Sequence, residues 1–465
     1  MSQPVQPADS PLARRVVAKV SRRLIPFMAL LHFINYLDRT NIGFAKLTMS
    51  KELALTETMF GLASGIFFAG YLLLEVPSNL ALHRFGARLW IARIMITWGI
   101  IAAAMAFVPN ATWLYVLRAL LGVAEAGFFP GMILYLTFWL PRAQRTRMTG
   151  FFMLAIPISS VLGSPLSGLI MQYTDGLFGM SGWRNMFLIE GIPAIVLAFV
   201  TWFYLTDRPS EARWLEPDER DWLQGTLDAE ARETSERHHW PLRKSLTDPR
   251  ILGLSFVYFA AVYGLYALSF FLPSIVAGFA QMFDTKFSLV QTGLIVSVPY
   301  LFGAVAMIWW SHHSDRTGER VWHVAAPMIL SGCAIPVALY LQSPVAVMVA
   351  MSITAIGIFA TLPVFWYLPT TFLTGAAAAG GIALINSLGN ASGFFAPYIT
   401  GFAKDATGDY KLAMFIVGGV MLAGAALTLV LKAAPAPTGP PSGPHSGPGA
   451  GPAAQGGVSD RIDAP

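Results

Sequence analysis

The sequence predicts an all-α integral membrane protein, with twelve transmembrane helices arranged as two six-helix, pseudo-symmetric halves. Three observations carry that expectation. First, 55% of the 465 residues are hydrophobic and only 12% are charged, about half the charge a soluble surface of this size needs; the mean hydropathy is +0.56. Second, twelve apolar runs of spanning length punctuate the chain. Third, one short basic motif occurs twice, at matching places in the two sets of six runs.

The first six runs lie near 24–45, 59–81, 89–108, 112–138, 146–172 and 184–206. A polar segment covers 207–248, and six more runs follow near 250–276, 288–311, 321–341, 344–367, 377–401 and 411–432. The expected organisation is a basic N-terminus over 1–23, a six-helix bundle over 24–206, a central loop over 207–248, a second bundle over 249–432 and a tail over 433–465. The tail is rich in Pro and Gly without a three-residue period, so it is expected to be disordered and not collagen-like. The basic block Arg14, Arg15, Lys19, Arg22 and Arg23 precedes a run that is too long for a signal peptide and lacks a small-residue cleavage site. It reads as the flank of a retained first helix.

Basic residues set the expected orientation. The N-terminal block, His83–Arg88, Arg142–Arg147, 207–248 and Asp315–Arg320 share one side if the runs alternate, and the opposite loops are short and nearly uncharged. Both termini and the central loop are therefore expected in the cytoplasm, in a plasma (inner) membrane. The net charge of +5 sits in these loop-sized blocks, which argues for a lipid bilayer as partner and against nucleic acid. The 42 Gly and 13 Trp residues suit close helix packing and interfacial anchoring. With one cysteine, Cys333, no disulfide framework or CxxC site is available.

The repeated motif is His83-Arg84-Phe85-Gly86-Ala87-Arg88 after the second run and Asp315-Arg316-Thr317-Gly318-Glu319-Arg320 after the eighth, roughly 230 residues apart. Gly86 and Gly318 allow a tight turn, while Arg84, Arg88, Arg316 and Arg320 offer charge to neighbouring helix ends. The plain alternative is two loops obeying the positive-inside rule.

Ionisable residues at bilayer depth are costly and face a bundle interior or cavity. Asp38 and Arg39 lie about 21 Å along a helix begun at Leu24, unless that helix ends early and leaves them at the interface. Arg118 and Glu125 are seven residues apart, close to two turns, and share one face; the alternative is a structural salt bridge between helices, which need not exclude function. The later runs offer Tyr258, Tyr263, Tyr266, Trp366, Asn386 and Asn390 instead. Asn386 and Asn390, one turn apart, suit either a polar ligand or interhelical bonding, and Tyr258 reads as an aromatic-belt residue. His32 and Glu75 are weaker signals, the first as a packed histidine and the second as a residue near a helix end. There is no HExxH, and the pairs His238-His239 and His312-His313 have no nearby acidic ligand spacing. Neither a metal, a cofactor nor an enzymatic reaction is expected.

The segments YLDRTNIGFA at 36–45, YLLLEVPSNLALHRFGARLW at 71–90, RALLGVAEAGFFPGMILYL at 118–136 and HSDRTGERVWH at 313–323 resemble the anion:cation symporter branch of the major facilitator superfamily, in particular its tartrate, hydroxyphenylacetate and phthalate permease-like members. DPRILGL at 248–254, FWYLPTTFLTGAAAAGGIALINSLGN at 365–390 and DATGDY at 405–410 fit the same group. The resemblance implies symport of a small organic anion with protons, by alternating access between the halves, in a protein expected to be a monomer. It implies proton coupling at Asp38 and Glu125, substrate binding at Arg39, Arg118, Tyr36, Tyr71, Trp366 and Asn386, with Asn390 beside them, and gating at the two loop motifs. His83 stands where the family usually carries an acid. An antiporter or facilitator without proton coupling, or a substrate-sensing receptor on the same fold, are the competing readings.

With Asp38 and Glu125 ionised, the two carboxylates offset Arg39 and Arg118. Protonating them exposes positive charge to a substrate carboxylate, and each proton changes the charge moved across the membrane.

Overall fold

The computed structural model describes residues 10–237, 248–370 and 375–433. The Pro/Gly tail beyond Ala433 and the His238-His239 pair lie outside the described residues. The described chain is helical, with no strand. Ten helical segments are long and apolar enough to cross a membrane: Glu57–Phe85, Ala87–Phe107, Ala111–Thr137, Ala155–Tyr173, Gly182–Tyr204, Pro249–Phe283, Leu289–Thr317, Val321–Tyr340, Pro344–Pro369 and Lys411–Leu431. The first and eleventh expected runs are each two helices end to end, Pro11–Thr40 with Ile42–Glu52 and Gly375–Asn390 with Ser392–Thr407. Together they make the twelve segments.

Local sequence starts several of these helices. The side chains of Ser10, Thr56, Asn110 and Asp248 each accept a backbone N–H of the first turn, satisfying a donor the helix leaves free. Ser288 and Gln291 form a reciprocal capping box at the start of the eighth segment. The first helix begins at Pro11, ahead of the expected Leu24, so the basic block is helical. Arg15 and Lys19 project from it to the central helix Pro217–Arg237, where Lys19 Nζ meets Glu219 Oε2 at 2.7 Å and Arg15 meets Asp218 at 3.1 Å. Burial opposes charge on Glu219. The hydrogen bonds from Lys19 and the Glu216 N–H, with the positive charges of Lys19 and Arg15, nevertheless hold its carboxyl below the usual range.

The packing repeats with a shift of six segments. In the first half the second segment packs on the fourth and the third on the sixth; in the other half the eighth packs on the tenth and the ninth on the twelfth. The halves meet along the second and eleventh segments and along the fifth and eighth. Both seams close on small residues. Gly61 and Gly65 lie against the carbonyls of Pro397 and Phe394, and Gly168 and Gly293 against those of Leu289 and Ser164, close approaches that a Cβ would obstruct. These contacts lie toward the end of the bundle away from the chain termini. That end is also joined by Lys46, whose Nζ donates to Glu57 Oε2 at 2.5 Å and Tyr410 Oη at 3.1 Å between the rings of Phe60 and Phe271. Asp405 accepts the Thr58 N–H at 2.7 Å and the Thr58 hydroxyl at 2.6 Å.

Candidate functional site

The first and fourth segments put the costly charges together. Residues 35, 38 and 39 occupy neighbouring positions around the first helix, which runs unbroken to Thr40 before continuing from Ile42. Asp38 and Arg39 therefore sit within the bundle and not at its rim, each less than a tenth exposed. The fourth segment holds Arg118 and Glu125 and breaks immediately after Glu125. Ala126 leaves the helical conformation and Gly127 has φ +83, a left-handed value that glycine adopts without strain. The next helix resumes at Phe128.

Glu125 is fully buried. Its Oε2 accepts from Arg39 at 2.9 Å and from Asn35 Nδ2 at 2.8 Å. The shared helix face thus brings Arg118 and Glu125 to one region, but Glu125's ion pair is with Arg39. Arg118 donates instead to the backbone carbonyls of Ala63 at 3.1 Å and Ser64 at 3.4 Å on the second segment. Both guanidinium groups lie over the same Phe67 ring, Arg39 at 5.2 Å and Arg118 at 5.0 Å from its centroid, and Arg39 also lies 5.3 Å from that of Tyr71. Arg39 Nε and Arg118 Nη1 are buried without a hydrogen-bond partner. Asp38 turns to the third segment, where Trp98 Nε1 donates to its Oδ2 at 2.8 Å, leaving Oδ1 unpartnered.

The remaining expected residues are wholly or partly buried. Tyr36 and Tyr71 are buried. Trp366 is half-buried and lies edge-on to Tyr258, 4.8 Å between centroids. Tyr258 is no aromatic-belt residue. It is buried inside the bundle, stacked on Phe365, because the eleventh segment approaches it through Gly389. Asn386 is buried and donates to Glu75 Oε1 at 2.6 Å, with Asn390 half-buried one turn along. His32 is packed among Phe129 and Phe152 with both ring nitrogens unpartnered.

Sequence reasoning underrated Glu75 and missed Glu190, Asn35 and Trp98. Glu190, on the sixth segment, is buried; its carboxylate accepts from Asn41 at 2.9 Å and Ser167 at 2.7 Å. A small cavity of about 20 Å³ adjoins it between the first, fifth, seventh and eighth segments, lined by Thr40, Asn41, Ser160, Ser164, Ser269 and Tyr300 among others. A lone acid in an apolar run was the available signal for Glu190, as it was for Glu75. Asn35 and Trp98 carried none, since an amide or indole in such a run usually serves packing or the interface.

The loop motifs lie at the end that carries the termini. Gly86 has φ +90 and Gly318 φ +70. His83 and Arg84 are exposed, with the His83 ring 6.4 Å from that of Phe138. The carboxylate here comes from Asp207, which accepts the backbone N–H of Arg88 at 2.8 Å. In the second loop Arg320 binds Asp315 at 2.8 Å and Ser314 Oγ at 2.8 Å, and lies 4.1 Å from the Tyr367 ring centroid; Arg316 is exposed. Among the described residues no group of His, Cys, Asp and Glu is placed to hold a metal.

Comparison with known proteins agrees with this architecture. The family model for the Major Facilitator Superfamily matches residues 28–397. A protein of Agrobacterium vitis named "Putative tartrate transporter" is 48% identical over 92% of this chain and 97% of its own length. The "Quinolone resistance transporter" of Acinetobacter baumannii is 38% identical over 90% and 95%. Among solved structures, the xylose transporter XylE from E. coli, in a partially occluded inward-open conformation, superposes with TM-score 0.69 at 15% identity, covering 89% of this chain and 98% of that one. The chain belongs to the Major Facilitator Superfamily, as a multi-pass membrane protein.

Proposed function

We propose that this chain is a secondary transporter that imports a small organic anion with protons across the plasma (inner) membrane, as a monomer with both termini cytoplasmic. Anions of the tartrate-like, sugar-acid or aromatic-carboxylate class fit the site. One observation carries the reading: two buried arginines over a common aromatic ring each keep an unpartnered N–H, while a buried carboxylate occupies one of them. Buried donors without acceptors are costly, and a ligand carboxylate supplies the missing acceptors with charge-assisted bonds. The name of the Agrobacterium vitis relative supports the same substrate class.

The cycle follows from charge balance. With Glu125 ionised, Arg39 is neutralised internally and the anion has less to bind. A proton on Glu125 ends that competition, and Arg39 and Arg118 then receive the substrate carboxylate. Asp38, held by Trp98 and, among the described residues, without a cation in hydrogen-bond contact, takes the second proton. Proton loss on the cytoplasmic side restores the Arg39–Glu125 pair and expels the anion.

The test is uptake of labelled tartrate by proteoliposomes under an imposed pH gradient. Glu125→Gln should keep downhill flux and lose gradient-driven accumulation; accumulation at wild-type level removes Glu125 from coupling. Joint replacement of Arg39 and Arg118 by Ala should abolish tartrate binding, and unchanged affinity would overturn the anion reading.

A further inference from the structure

The second and eleventh segments are tied by a carboxylate that this cycle leaves unused. Glu75 lies one helical turn beyond Tyr71, and its side chain is buried at 5% exposure. Its Oε1 accepts from Asn386 Nδ2 at 2.6 Å and its Oε2 from Ser387 Oγ at 3.2 Å, so both bonds cross from one half of the molecule to the other. Among the described residues it forms no ion pair. The ionisable groups facing it are Arg39 from the first segment, Tyr71 on its own helix, and Tyr258 and Tyr266 from the seventh. A buried carboxylate held by one amide and one hydroxyl, with no cation in contact, is expensive to keep charged.

The two donors it holds are the kind that capture a ligand carboxylate. Glu75, which they hold, lies within electrostatic reach of Arg39 and Tyr71. Resting on the anion reading above, we propose that Glu75 is an internal carboxylate that occupies the second-half donors of the anion site, Asn386 and Ser387, and competes with the substrate for them. Each N–H of the Asn386 amide serves one acceptor well, so the donor given to Glu75 is withheld from the substrate carboxylate. Ionised Glu75 therefore repels the anion as well as blocking it, and a proton on Glu75 lifts the repulsion and weakens its hold.

The consequence has a sign that distinguishes it from a structural bridge. Removing a bridge between the halves weakens binding, whereas removing a competitor strengthens it. Binding of tartrate to the purified full-length protein, measured by calorimetry at pH 6 and pH 8, reads this directly. Glu75→Ala and Glu75→Gln should each bind tartrate about fivefold more tightly than wild type at pH 8, with a smaller difference between the two pH values. Adding Asn386→Ala to Glu75→Ala should erase that gain, since the freed donor is then absent. Weaker or unchanged binding by both Glu75 variants at both pH values overturns the proposal while leaving the anion reading intact. A wild-type protein that binds none of tartrate, malonate or benzoate overturns the anion reading, and this inference with it.

Discussion

The two halves share a packing plan and divide the chemistry unequally. In the first half the buried Asp, Glu, Lys and Arg residues are Asp38, Arg39, Lys46, Glu75, Arg118, Glu125 and Glu190; among the described residues of the second half no Asp, Glu, Lys or Arg is buried. What it contributes to the proposed site is amides, hydroxyls and rings: Asn386, Ser387, Ser269, Tyr258, Tyr266 and Trp366. Duplication of a scaffold therefore did not require duplication of its charge. In the proposed cycle, one half holds the ions at high cost, and the other meets them with neutral groups that re-pair cheaply. The largest test of this division compares Arg39→Ala with Asn386→Ala. Unpairing buried Glu125 should cost about 3–5 kcal/mol and abolish tartrate uptake in proteoliposomes. Loss of the Asn386 amide should cost about 1–3 kcal/mol and leave measurable uptake. Equal losses would break the contrast.

Within the charged half, Asp38 and Glu125 differ in how they are held, one by an indole and the other by a guanidinium with an amide. Trp98→Phe keeps an aromatic ring against Phe128 and removes the indole N–H that donates to Asp38 Oδ2. It should lower stability in detergent by about 1.5–3 kcal/mol, read as a fall in the thermal midpoint, with the Arg39–Glu125 pair intact. A midpoint equal to wild type would show that Asp38 carries its proton in the resting state and needs no donor.

The sequence made the segments legible because hydropathy and length are local properties, and Arg39 and Glu125 stood out because charge in an apolar run is rare. Pairing was not legible. The helix face joining Arg118 to Glu125 is a fact about one helix, whereas the choice of Arg39 as partner depends on how the first and fourth segments cross. Trp98 was invisible for the same reason, since its role exists only where the third segment passes Asp38. Tyr258 was misread because the approach of Gly389 that buries it comes from a helix more than a hundred residues away. The break after Glu125 was written in Ala126-Gly127, yet glycine is so common in membrane helices that it gave no warning.

The seam between the halves offers a smaller effect. Asp405 of the eleventh segment caps the first turn of the second through the N–H groups of Glu57 and Thr58. Asp405→Ala should remove about 1 kcal/mol of that closure, a shift of about fivefold in the closed-to-open ratio. With Cys333→Ser as background, a cysteine at Ser269, which lines the cavity between the halves, should react about fivefold faster with an impermeant thiol reagent added from the end opposite the termini. An unchanged rate would mean that Lys46, Glu57 and Tyr410 hold that end without Asp405.

The smallest effect concerns His83, which departs from its family's acid. In the second loop Asp315 and Arg320 pair within the motif. In the first, the carboxylate is supplied by Asp207, from beyond the sixth segment, and it reaches the Arg88 N–H at the start of the third helix, beside Gly86. A carboxylate at a helix N-terminus stabilises by hydrogen bonding and by the dipole, and the one from Asp207 already fills that place. His83 is exposed, so restoring the acid by His83→Asp should change stability by less than about 0.5 kcal/mol and leave uptake within about twofold of wild type. Asp207→Ala should cost about 1 kcal/mol and slow uptake. The reverse ranking would show that the motif acts through an acid at position 83, and that Asp207 is only a cap.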